Sequence, residues 1–175
     1  MKQIFPYKII LFLLIIIGTW SCERDDICAE STSTTPHLII RFYDINNQTT
    51  LKNARNLTVT GEGATEDILY NKTVDSIVLP LKFDSENTTN TTRFVLEKNT
   101  DYRLDTNPLT NSNVDIIEVK YTPQFVFVSR ACGYKAIFTD LQISRDADDD
   151  NWIINTEVIN PTIENENAAH INIYH

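Results

Sequence analysis

Hydrophobic and polar positions alternate with a period of two along most of this chain, and the alternation begins at residue 37. From His37 to Tyr43, Leu38, Ile40 and Phe42 fall on one side and Ile39, Arg41 and Tyr43 on the other, which predicts a strand. Asn46-Asn47-Gln48 has turn chemistry, and Asn56 to Thr60 alternates again with Leu57 and Val59 inward before Gly61-Glu62-Gly63 turns the chain. A short strand is expected over 68–70. Another is expected over 76–83, where Pro80 implies an edge or a bulge because it has no N–H to give to a ladder. The polar run 84–92 suits a hairpin loop, and 93–97 pairs back.

The second half is patterned more sharply. Ile117, Val119 and Tyr121 share one face of 114–121 against Glu118 and Lys120 on the other, the signature of a half-buried antiparallel strand. Phe125-Val126-Phe127-Val128 is apolar on both faces and reads as a central strand. Strands over 134–143 and 152–159 are expected to form a hairpin across the acidic turn 145–151, and 169–174 closes the pattern. No stretch holds a 3.6-residue period for three turns, although 64–70 and 163–169 are each compatible with one short helix. Seven to nine short strands separated by turn signals predict an all-β fold, an antiparallel β-sandwich of immunoglobulin-like or transthyretin-like type.

Before residue 37 the pattern is different. Lys2 and Lys8 bound a short basic segment, an unbroken run of nine apolar residues follows over 9–17, and Gly18-Thr19-Trp20-Ser21 leads to Cys22. Nine residues are about half of the roughly 20 needed to span a bilayer, so the segment reads as a signal peptide over 1–21 and not as a permanent anchor. A cysteine directly after a small residue is the arrangement of bacterial lipoproteins, in which it becomes the acylated N-terminus; Thr19 stands where leucine is usual. Cys22 is therefore the expected lipidation site. Residues 22–36 form a polar linker, and 37–175 is the folded domain.

Charge narrows the partners. The formal net charge is −9, and loss of Lys2 and Lys8 with the leader leaves 13 basic against 24 acidic side chains, or −11. Such a surface repels nucleic acid and anionic lipid, so membrane attachment falls to the lipid on Cys22. With Cys22 acylated, Cys28 and Cys132 remain as an even pair in an oxidising compartment, without metal or redox spacing, and a disulfide between them is expected. The bridge would leave only Glu23 to Ile27 as free tether, about 20 Å at full extension, instead of about 45 Å for Glu23 to Pro36. A tether that short favours a membrane-apposed neighbour.

Glu23-Arg24-Asp25-Asp26 immediately after the cysteine resembles the surface-export signal of Bacteroidota outer-membrane lipoproteins, with a solvated charged linker as the alternative. Together with Cys22 to Cys28, Leu38 to Asp44, Arg130-Ala131-Cys132-Gly133-Tyr134 and His170 to His175, it resembles an uncharacterised family of Bacteroidota lipoproteins. The resemblance implies an outer-membrane location, cell-surface rather than periplasm-facing. It implies no catalytic residues, and the expectation attached to it is a protein working beside an outer-membrane β-barrel protein.

Candidate chemistry is sparse. Counting from Asp146, carboxylates at positions 1, 3, 5 and 12 (Asp146, Asp148, Asp150, Glu157) have the ligand spacing of a calcium loop, but Asn151 replaces the turn glycine and both flanks read as strands. An acidic hairpin tip is the competing reading. Asp75-Ser76-Ile77 resembles a Bacteroidota O-glycosylation acceptor at Ser76, and Trp152 would either stack on a sugar or pack in the core. The spacing of His37, His170 and His175 in sequence suggests no site, and nucleophile-elbow, metalloprotease and phosphate-loop motifs are absent from the sequence. A non-catalytic envelope module without a cofactor is expected, with calcium or glycan binding as the alternative.

Overall fold

The computed structural model describes residues 27–30, 32, 34–100 and 111–175. The leader, Cys22 and Glu23-Arg24-Asp25-Asp26 lie outside the described residues. The described chain separates into two compact units, one containing the Cys28 segment and residues 128–133, the other residues 33–127 and 134–175.

Ten strands are described: β1 (Leu38–Asp44), β2 (Asn47–Leu51), β3 (Ala54–Gly61), β4 (Asp67–Val74), β5 (Ser76–Leu79), β6 (Asn90–Lys98), β7 (Asn113–Ser129), β8 (Gly133–Arg145), β9 (Asn155–Val158) and β10 (Ile171–Tyr174). They form two five-stranded sheets. In the first, the order β2-β1-β10-β9 is completed by β5, which pairs with β1. β1 and β10 are parallel, with Ile40 opposite Ile171 and Tyr43 opposite Tyr174. The other edge of β1 is divided: residues 38–41 pair with β5, and Tyr43 and Asp44 pair with β2. The second sheet runs β4-β3-β6-β7-β8, and its pairs β3-β4, β3-β6 and β6-β7 are antiparallel. The expected all-β sandwich is therefore present.

One core joins the two sheets. Leu38, Ile40, Phe42, Ile171 and Ile173 come from the first sheet, and Leu57, Val59, Phe94, Leu96, Ile117, Val119, Tyr121 and Phe138 from the second. These are the alternating positions of their strands, as the pleat requires when one face is covered. At about 1.5–3 kcal/mol for each fully buried large apolar side chain, this cluster is the dominant stabilising term. Where alternation breaks, an Asn or Asp takes the left-handed backbone that larger side chains avoid. Asn56 and Asn71 lie in the register shifts between β3 and β4, and Asp140 lies where inward residues of β8 change from Ala136 and Phe138 to Leu141.

Several expectations are corrected. Residues 152–159 do not form a hairpin with β8: only 155–158 are a strand, and it pairs with β10 in the first sheet. Trp152 and Ile153 instead turn inward and fill the core in the connection between sheets. Residues 47–51 are a strand and not only a turn; its side chains are all exposed, so it carries no alternation to read. Neither 64–70 nor 163–169 is helical, since 67–74 is β4 and Ile163 bridges to Phe138. Phe125, Val126 and Phe127 are exposed and not central.

Candidate functional site

Two places carry the chemistry that the sequence offers: the acidic connection after β8, and the end of the β7-β8 ribbon. In the first, Asp146 is drawn to Arg93, whose NH2 lies 2.6 Å from Asp146 Oδ2. The same guanidinium holds Glu62 at 2.7 Å and Glu118 at 3.2 Å, and this set of carboxylates raises its pKa beyond the ordinary arginine value. Bonds from Lys120 and then Arg93 hold Glu118 below the usual carboxylate range. Asp148 Oδ1 accepts the Asp150 N–H, and Asn151 Oδ1 accepts the Asp148 N–H, the local bonding that makes Asp and Asn good turn residues.

The connection is organised by a residue that the loop pattern does not contain. Asp115 of β7 is fully buried, accepts the Trp152 N–H (3.3 Å) and Ile153 N–H (2.7 Å), and receives a bond from Asn151 Nδ2 (3.4 Å). Burial pushes its pKa up, against the opposing effect of these donors. A carboxylate here satisfies two backbone donors that the inward turn at 152–153 would otherwise leave without partners. Trp152 is buried with them, and its indole N–H donates to the Leu96 carbonyl. It is a core side chain and not a sugar platform.

The described geometry does not assemble the calcium-loop residues into one site. Asp146 is bound to Arg93, Glu157 sits on β9 accepting the Tyr174 hydroxyl at 2.7 Å, and Asp148 caps its own loop. The four carboxylates Asp146, Asp148, Asp150 and Glu157 do not converge. Among the described residues no group of three His, Cys, Asp or Glu side chains is arranged to hold a metal ion.

Beside Trp152 lies a buried basic cluster. Lys98 Nζ stands 5.1 Å from the centre of the Trp152 ring and 3.2 Å from His175 Nδ1. Burial, and then the charge of Lys98, lowers the His175 pKa to about 4, so the ring is neutral at physiological pH and able to accept from the ammonium. Burial likewise lowers the pKa of Lys98 and of His170. His170 Nδ1 accepts the Ile39 N–H at 3.0 Å, and His37 meets Glu166 at 2.7 Å. These histidines are committed to separate structural bonds. Ser76 is exposed at the first position of β5, opposite Arg41.

The turn between β7 and β8 carries the second feature. Cys28 and Cys132 are disulfide-bonded, with Cα atoms 4.8 Å apart and a separation of 104 positions in sequence. Ile27, Ala29, Thr32, Ser129, Arg130 and Cys132 line an open cavity of about 360 Å³ there. Immediately before and after this turn, Phe127 and Tyr134 meet edge to face with ring centres 5.4 Å apart. Phe125 makes the same contact with Phe83 at 5.5 Å. Their exposure was not anticipated, because an apolar tetrapeptide looks the same in sequence whether it is covered or bare.

Fold and site together define an all-β, two-sheet domain with one disulfide, built around structural polar bonds. Residues 56–175 match a family of unknown function, DUF6452, and the chain belongs to that family. Searches among curated proteins and among solved structures each give no match. Among the described residues no helix is long and apolar enough to cross a membrane.

Proposed function

We propose that this protein is a lipid-anchored outer-membrane lipoprotein whose β-sandwich serves as a non-catalytic interaction or structural module, associated with an outer-membrane protein. The observation that carries the reading is the pairing of Cys28 with Cys132. A structural disulfide suits an oxidising compartment outside the cytosol, and it leaves Cys22 as the one cysteine of three that is free for acylation after the apolar leader. The charged groups that looked like ligands support the same reading, since Asp146 and Glu157 are engaged in holding the chain together. Glu23-Arg24-Asp25-Asp26 then serves as the surface-export signal, and the anchor bears the membrane attachment that an acidic surface cannot provide.

The test is gentle extraction of the tagged, full-length protein from its own envelope followed by affinity purification. The expected result is a stoichiometric outer-membrane partner, with fatty-acid label on the protein that disappears in Cys22→Ser. Recovery of the protein alone would overturn the interaction reading, and label retained in Cys22→Ser would overturn the anchor. Protease treatment of intact cells reads orientation, because a periplasm-facing domain survives it.

A further inference from the structure

On β7, the residues Ile117, Val119, Tyr121 and Pro123 face the core in strict alternation, and Phe125 and Phe127 continue the same side of the strand. On β8, Tyr134 continues the side that carries Ala136 and Phe138. The core-facing stripe of the ribbon therefore runs on past the part that the first sheet covers. Phe125 is 42% exposed, Phe127 57%, Tyr134 68%, and Phe83, leaning on Phe125, 48%. Single exposed apolar residues need no explanation, but four rings joined in two edge-to-face pairs at one end of a ribbon do.

We infer that this aromatic row rests in the interfacial layer of the membrane that holds the lipid anchor. The inference depends on acylation of Cys22 as proposed above. The covalent path supports it: the six Cα–Cα steps from Cys22 to Cys28 reach about 20 Å, the bridge adds 4.8 Å between Cα atoms, and Tyr134 is two residues beyond Cys132. Size also favours lipid over a protein partner. At about 150–250 Å² for an aromatic side chain, four half-exposed rings offer about 400 Å², against about 800 Å² from each partner in a stable protein interface. Phe and Tyr have the apolar body and, in Tyr134, the polar tip that suit a bilayer interface. Glu86, whose carboxylate accepts the Phe125 N–H at 3.0 Å, adds negative charge to the edge, so zwitterionic headgroups are the matching surface.

The test reconstitutes the acylated full-length protein, as Phe127→Trp, in phosphatidylcholine vesicles with or without brominated acyl chains. Tyr70→Trp, exposed on β4 at the opposite edge of the second sheet, is the control. The expected result is a blue-shifted F127W emission that bromolipid quenches by roughly twofold, with Y70W unaffected, as interfacial residence requires. Equal, weak quenching of F127W and Y70W in protein that floats with the vesicles would overturn this inference and leave the anchor standing. Protein that fails to float would overturn the anchor and this inference with it. In cells, a photo-crosslinking phenylalanine at position 127 should give lipid adducts; a discrete protein adduct instead would also overturn the inference.

Discussion

Replacing Asp115 with alanine removes the one side chain that receives the inward turn at 152–153. Ile153 is fully buried and Trp152 nearly so, and alanine offers no acceptor to the Ile153 N–H, now 2.7 Å from Asp115 Oδ2. Each orphaned buried donor costs about 1–3 kcal/mol, and relief of the buried charge offsets part of that, so the net loss is about 2–4 kcal/mol. Against a domain stability of about 5–15 kcal/mol this is large, and at a urea slope of about 2 kcal/mol per molar it lowers the midpoint by about 1–2 M. Trp152, the only tryptophan after residue 21, reports unfolding from inside the affected region. Asp148→Ala, which removes an exposed loop acceptor, should change stability by less than about 0.5 kcal/mol. Calcium should shift neither the parent nor this variant. A loss below about 0.5 kcal/mol in Asp115→Ala, or a calcium-dependent rise in the parent that Asp148→Ala abolishes, would refute the view that Asp115 and not a cation orders the acidic connection.

Four further outcomes follow from the same structure. Removing the disulfide, as Cys28→Ser, Cys132→Ser or both, should destabilise by up to about 4.7 kcal/mol for a loop of this length, equally in all three variants; denaturation with and without reductant checks it. His175, with a folded pKa near 4 below its ordinary 6.5, contributes stability that is full above 6.5 and is lost as pH falls toward 4. Stability should therefore drop by at most about 1.5 kcal/mol between pH 6.5 and 5, less so in His175→Gln, and a flat profile in the parent would contradict the burial of a neutral ring. Asp115 has the opposite sign: its raised pKa means that stability is gained on protonation as pH falls and lost as pH rises through the folded value, so Asp115→Asn should remove this component from acid titrations near and above 3.8. Tyr121→Phe, which frees the buried Thr92 hydroxyl and the Lys82 carbonyl, should cost about 1–2 kcal/mol in equilibrium unfolding.

The parts of the fold legible in sequence were those with one covered face. β1 and β7 alternate because each buries one side, and Leu38, Ile40, Phe42, Ile117, Val119 and Tyr121 could be assigned inward from spacing alone. β2 was not legible, since its five exposed positions obey no burial constraint. Nor was the pairing of β9: Trp152 and Ile153 looked like the start of a strand, whereas they are held by Asp115, 37 and 38 residues earlier, and carry the chain to the other sheet. The parallel contact of β1 with β10 joins residues some 130 apart and leaves no local signature. At the candidate sites, the cysteine pair was legible because two cysteines without metal or redox spacing were left once Cys22 was set aside. The acidic run misled because turn formation and cation binding select the same residues, and only Arg93 and Asp115, distant in sequence, distinguish them.

The central claim, that this β-sandwich is held at a membrane by acylated Cys22, is tested most directly by the intact mass of the protein purified from envelopes of its native host. The predicted species begins at Cys22, carries the added mass of two or more acyl chains, and has Cys28 and Cys132 oxidised. A mature chain of unmodified mass, or one whose N-terminus lies beyond Cys22, would contradict it.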